Sequence, residues 1–353
     1  MLKDIAKDIA HAADKLVGHD TPNTPDLDMQ KVLDAQQALG PKPIETLTPE
    51  EARLQPSPAD GAKVVMREKG LNPDDPQGVM TVDTHYMSDG FAQTVRLYWP
   101  EDRAADEILP VILYFHGGGF VIADIDVYDA TPRTLAREVR ALVVSAEYRH
   151  APEHKFPAAH DDAYAAYLWT LDNAAEHRGD PERVALAGES AGGNLAIATA
   201  IKARDAGKPV PLHQLLVYPV AGTDLTTPSY QRYGDAKPLN KAMMEWFVGH
   251  YTNSKADLDD PRLDVIGKAR LEGLPPTTLV LAEIDPLCSD GEKLAEALKA
   301  ADVQVSQRVY EGATHEFFGM APVVGEAKLA QLMAVERLRT AFGYSDISEM
   351  NVW

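Results

Sequence analysis

Residues 111–115 run without a polar break, and short, largely apolar stretches recur at 141–146, 184–187, 215–218, 278–282 and 303–309. Most of the gaps between them carry apolar positions at helical spacing, over 131–140, 161–173, 193–206 and 290–301. Short apolar strands alternating with helices predict an α/β fold with a largely parallel sheet covered by helices on both faces. Ahead of this region, 79–87 and 94–99 read as two strands joined by a turn at Ser88-Asp89-Gly90.

The first residues follow a different pattern. Leu2, Ile5, Ile9, Ala13, Leu16 and Val17 recur three and four apart, which predicts a helix. A second helix is expected over 26–39, stopped by Gly40-Pro41. Thr48-Pro49-Glu50-Glu51 has the form of a capping box, with Thr48 as N-cap and Glu51 as its reciprocal partner. These short helices in proline-rich loops read as an appendage on a larger body. Between Pro219 and Leu274 lie about 55 residues, too many for a simple crossover and carrying Met243, Met244, Trp246, Phe247 and Tyr251. An insertion of this kind is expected to form part of a binding element.

Composition narrows the picture. Of 353 residues 45% are apolar, enough for a large core and against wholesale disorder. A formal net charge of −20 makes nucleic acid and anionic lipid poor partners. No 18-residue apolar run and no signal-peptide core are present, so no membrane span is expected. A single cysteine, Cys288, rules out an internal disulfide and fits a reducing compartment. The reading is a cytoplasmic protein.

The chemistry is concentrated in a few loops. Gly188-Glu189-Ser190-Ala191-Gly192 fits G-x-S-x-G, between a predicted strand and a predicted helix. That is the setting of a nucleophile elbow, in which the serine is lifted above the sheet on a tight turn. The two glycines stand where side chains would collide with the adjoining strand and helix, and the Ala191 N–H is placed to meet an oxyanion. A serine needs a base, and in this order of elements acid and then histidine follow it. Three histidines follow Ser190. His213 opens an apolar strand, which favours a structural role, and His250 sits in the aromatic insertion, where it could line a pocket. His315 lies in a loop after the last strand, the place for a base. Asp285, directly after the run 278–282, is the preferred acid. Glu283 and Asp290 are alternatives, the first read as still within the strand and the second as a helix N-cap. His116-Gly117-Gly118-Gly119 ends another strand; three glycines let exposed N–H groups approach a substrate, and neither phosphate-loop spacing is present. His116 reads as an anchor for that loop.

Together HGGGF at 116–120, EYRHAPEHKFPAAHDDA at 147–163, GESAGGNLA at 188–196, DPLCSDG at 285–291 and HEFF at 315–318 span about 200 residues at family-like spacing. On these segments the chain resembles the bacterial hormone-sensitive-lipase family (family IV) of carboxylesterases, within the α/β-hydrolases. The resemblance implies a Ser190–His315–Asp285 triad, oxyanion donors drawn from Gly117, Gly118, Gly119 and Ala191, and a helical cap built from residues 1–50 and an insertion at about 222–255 on a catalytic domain of 51–353. It implies a small-molecule ester substrate, short to medium acyl chains, no metal or organic cofactor, and a monomer or homodimer. Glu189, Met243, Trp246 and Phe247 are candidate pocket residues, Glu189 alternatively bracing the turn by hydrogen bonding. Three positions depart from the family's usual pattern: Glu189 where Asp is frequent, Glu316 where Gly is usual, and His150 where Leu is frequent. An amidase or β-lactam hydrolase with the same triad is the rival reading. A hydrolase-like small-molecule receptor is disfavoured by the presence of His315, and a lipase acting on insoluble fat by the acidic surface.

Overall fold

The computed structural model describes residues 24–344. The helix expected from Leu2 to Val17 lies outside the described residues. Among the described residues eight strands form one sheet: β1 (Val79–Ser88), β2 (Phe91–Pro100), β3 (Leu109–Phe115), β4 (Leu142–Ala146), β5 (Gly179–Glu189), β6 (Gln214–Val217), β7 (Thr277–Ile284) and β8 (Val305–Thr314). Their order across the sheet is β1-β2-β4-β3-β5-β6-β7-β8. Only the pairs β1–β2 and β2–β4 are antiparallel; from β4 to β8 every pair is parallel. The hairpin turn is the two residues Asp89 and Gly90, both with positive φ, which matches the right-handed twist of the strands it joins.

Among the described residues there are eight longer helices: α1 (Leu27–Ala38), α2 (Pro58–Glu68), α3 (Ala130–Val139), α4 (Ala158–Asn173), α5 (Ala191–Asp205), α6 (Lys241–Tyr251), α7 (Cys288–Ala300) and α8 (Gly325–Ala341). Every residue of β3 is buried, as befits a central strand covered on both faces. Two apolar clusters fill the two sides. One joins α4, α5 and α7 to the sheet around Leu113, Leu186 and Leu281; the other joins α1, α3 and α8 around Tyr114, Val217 and Val280. Residues adjacent in a strand, such as Leu113 and Tyr114, therefore serve opposite cores.

The N-terminal segment divides between two neighbours. Helix α1 packs on the body, with Met29 and Val32 fully buried in the second cluster and the Asp26 N–H bonded to the Gly312 carbonyl. Farther on, Ile44 packs on the first cluster and the Leu47 carbonyl accepts from the Trp246 indole of α6 at 3.2 Å. The capping box at Thr48 and Glu51 is formed in both directions. Arg53 then ties this segment to the loop after the triple glycine, donating to the Val121 and Ala151 carbonyls and, through both terminal nitrogens, to Glu153. Asp290 is not an N-cap. Helix α7 begins at Cys288, so Asp290 is in its first turn and buried, because the turn at Asp285-Pro286-Leu287 leads straight into the helix.

Candidate active site

Parallel strands end at one edge of a sheet, and three of them end on a polar side chain there. Ser190 follows the last residue of β5, Asp285 follows β7 and His315 follows β8. Residues up to 125 positions apart thus meet: His315 Nε2 lies 3.0 Å from Ser190 Oγ, and His315 Nδ1 lies 2.6 Å from Asp285 Oδ2. A carboxylate only accepts, so the Nδ1 proton is directed at Asp285 and the Nε2 lone pair at the serine hydroxyl. All three side chains are buried, Asp285 completely. The second oxygen of Asp285 accepts from the Leu287 N–H at 2.9 Å, which fixes the carboxylate plane. Of the other acids weighed, Glu283 is in β7 with its carboxylate on the Gly312 N–H, and Asp290 faces the Gly222 backbone.

Ser190 has φ 57 and ψ −118, a conformation held by its surroundings. Close approach explains the flanking glycines. A Cβ at Gly188 would lie 2.1 Å from the Gly192 carbonyl oxygen, and one at Gly192 would lie 2.0 Å from that of Phe115. Ala191 is the first residue of α5, where backbone N–H groups have no partner inside the helix. Gly118 and Gly119, with φ of 99 and 62, line the same cavity as Ser190 and His315; Gly117 instead backs onto the Tyr128 hydroxyl.

The cavity over Ser190 is mainly apolar. Helix α6 presents Met243, Met244, Phe247, Val248 and Tyr251 to it. These positions share one helical face, and Trp246 and His250 lie off it. Trp246 therefore corrects the sequence reading: it stands behind Phe247, edge to face at 5.3 Å, with its indole N–H on Leu47, while His250 packs on Trp246 at 4.4 Å. Glu189 also lies outside this cavity. Its buried carboxylate accepts from the Tyr114 hydroxyl at 2.7 Å and from the Tyr218 hydroxyl, so it braces the elbow. Tyr218 in turn packs against the His315 ring, with centroids 4.5 Å apart. His213 is structural, hydrogen-bonded to Thr278.

The electrostatics favour a chargeable imidazole. Burial opposes the cationic form of His315, but the adjoining Asp285 carboxylate, with Glu316 and Glu189 nearby, outweighs it and raises the pKa above the usual histidine value. Burial raises the pKa of Glu189 and Glu316 in turn.

A sequence comparison matches residues 112–319, more than half of the chain, to the alpha/beta hydrolase fold family. The chain belongs to the α/β-hydrolases, in the branch of the hormone-sensitive-lipase type. Among relatives of this α/β-hydrolase, Carboxylesterase NlhH of Mycobacterium tuberculosis is 41% identical over 250 residues, 69% of this chain and 77% of that one. An ethyl acetate hydrolase of Pseudomonas putida is 35% identical over 252 residues, 71% of this chain and 79% of its own. In three dimensions, a thermostable esterase from Pseudomonas putida superposes with a TM-score of 0.81 at 30% identity, over 92% of this chain and 99% of that one. No helix among the described residues is long and apolar enough to cross a membrane.

No local signal marks the phenols that hold Glu189, 75 and 29 residues away, or Leu225 and Leu239 in the cavity wall. The nearest available signal was helical phase, which separates Phe247 from Trp246.

Proposed function

We propose that this α/β-hydrolase is a serine carboxylesterase acting on small, soluble esters of short to medium acyl chain. The observation that carries the reading is the relay Asp285–His315–Ser190 at 2.6 and 3.0 Å, beneath a mainly apolar cavity. The esterase relatives support the substrate class. Ser190 Oγ attacks the ester carbonyl as His315 Nε2 takes its proton. N–H groups of the glycine loop, chiefly Gly118 and Gly119, and of Ala191 stabilise the oxyanion. His315 protonates the departing alcohol, then activates water to release the acid from Ser190. The segment around Ile44–Leu47 and the insertion carrying α6 act as the cap over the acyl site. The buried Cys288 thiol is consistent with cytoplasmic residence.

Hydrolysis of p-nitrophenyl esters from acetate to palmitate tests this. Wild type should peak at short to medium chains. Phe247→Ala removes a ring from the cavity wall and should move the peak to longer chains, whereas Trp246→Ala should move it less. No hydrolysis of any ester by folded wild type would overturn the proposal and turn attention to amides and lactams.

The pH profile supplies a second test. His315 must be neutral to take the serine proton, so kcat/KM should fall as pH drops through its raised pKa. Glu316 is one of the charges that raise it. Glu316→Gln should therefore shift the acid limb to lower pH; an unmoved limb would show that the Glu316 charge does not act on His315.

A further inference from the structure

At the start of the glycine loop a second group of side chains converges. His116, Glu147 and His150 each offer one ligand atom, and these atoms lie within 4.8 Å of one another. Among the described residues no other group of three His, Cys, Asp or Glu side chains approaches in this way. His116 and Glu147 belong to the loops after β3 and β4, and His150 stands at one of the positions where the chain departs from its family's usual residue.

The hydrogen bonding at this point is incomplete in a specific way. His116 Nδ1 lies 2.8 Å from the Gly117 carbonyl, an acceptor, so the ring proton is on Nδ1. Nε2 then faces Glu147 Oε2 at 3.3 Å, a contact that needs a proton or a cation between the two atoms. The other oxygen of Glu147 is already used, accepting from the Ile125 N–H at 2.7 Å. His150 Nε2 is buried with no hydrogen-bond partner. A proton shared by His116 and Glu147 would relieve the first contact and leave His150 unsatisfied. A metal ion relieves both. Arg53, one of the groups whose charge reaches His150, is neutralised by its double contact with Glu153.

The geometry points to a transition-metal site formed by His116, Glu147 and His150: we propose that it takes zinc, and that zinc there displaces the glycine loop and slows ester hydrolysis. Two imidazoles and one carboxylate suit zinc and disfavour magnesium or calcium. For three atoms no more than 4.8 Å apart, a central point lies at most about 2.8 Å from each, against about 2.0–2.1 Å for zinc bonds, so shifts under about 1 Å bring all three into bonding distance, with water as the fourth ligand. Those shifts act on the loop directly. His116 is bonded to the Gly117 carbonyl, stacked on Tyr148 at 4.4 Å, and held by the Tyr148 hydroxyl, which donates to its carbonyl at 2.9 Å. Gly118 and Gly119 follow in the chain. The coupling to hydrolysis rests on the esterase reading; the metal site does not.

Equilibrium dialysis of the chelator-stripped full chain against zinc chloride tests the site without reference to catalysis. Wild type should hold one zinc that His150→Leu loses, with affinity lower by at least about tenfold, and that His150→Cys restores by supplying another zinc ligand. Cobalt(II) should give the visible bands of a low-coordinate site in wild type and not in His150→Leu. Thermal melting of each metal-free variant shows that it is folded. Absence of stoichiometric zinc in wild type, or binding indifferent to position 150, would overturn the site. Each variant's hydrolysis is then compared with its own metal-free rate. Zinc should slow wild type and spare His150→Leu, and zinc bound without slowing would overturn the coupling to the loop.

Discussion

Ser190→Ala is expected to lower kcat for p-nitrophenyl butyrate by about 10⁴–10⁶ while KM changes only a few-fold. The substitution removes one oxygen from a backbone that stays in place. The elbow is held by the Ser190 N–H on the Val217 carbonyl, the Val220 N–H on the Ser190 carbonyl, and the close packing of Gly188 and Gly192, none of which needs the hydroxyl. Alanine also meets the same backbone conformation, φ 57 and ψ −118, at much the same steric cost as serine. The melting temperature should accordingly stay close to that of wild type. What remains would come from the oxyanion donors and binding alone. Intact-mass analysis after treatment with an alkyl fluorophosphonate provides an independent reading, with one adduct mapped to Ser190 in wild type and none in the variant. Activity retained within tenfold would place the nucleophile elsewhere.

Asp285→Asn should cost about 10⁴ in kcat, and Asp290→Asn no more than a few-fold. Both acids are buried near the same helix start, but their surroundings differ. Asp285 accepts from His315 Nδ1 and from the Leu287 N–H. An amide at 285 can keep the Leu287 bond with its oxygen and then turns its NH₂ toward the imidazole, favouring the wrong tautomer for a base. It also removes the carboxylate that raises the His315 pKa, so the residual activity should extend to lower pH. Asp290 has no such partner. One of its oxygens is buried without a hydrogen bond, and burial pushes its pKa up to about 7. A raised pKa stabilises the fold below the unfolded value, near 4, and that stability is lost as pH rises through 7. Asp290→Asn removes this dependence and should raise the melting temperature at pH 8 more than at pH 4. Equal losses of activity in the two variants would undo the assignment of Asp285.

The parts of the site that could be read in advance are those with local signals. The buried strands announce themselves as apolar runs because both of their faces are covered. The elbow announces itself because a serine on a tight strand-to-helix turn requires small neighbours two residues to either side. His315 and Asp285 stand directly after strands, and parallel strands deliver their C-terminal ends to one edge, so strand positions alone carried both residues close to Ser190. The glycine loop is legible for the same reason.

Other features depended on long-range placement. The partners of Glu189 are Tyr114 of β3 and Tyr218 just after β6, which only the packing of the sheet brings to it. Trp246 and Phe247 are adjacent in sequence and equally apolar; the orientation of α6 turned one toward the cavity and the other toward Leu47. Asp290 has the composition of an N-cap but falls inside a helix that starts two residues earlier. The convergence of His116, Glu147 and His150 joins two loops that no motif links. By itself the sequence determined the order of strands and helices and the chemical types set at their ends, because backbone propensity and burial act over a few residues at a time. Which side chains face one another across the sheet, the cavity and the loops was decided only by tertiary packing, since distances between elements follow from how whole faces fit together.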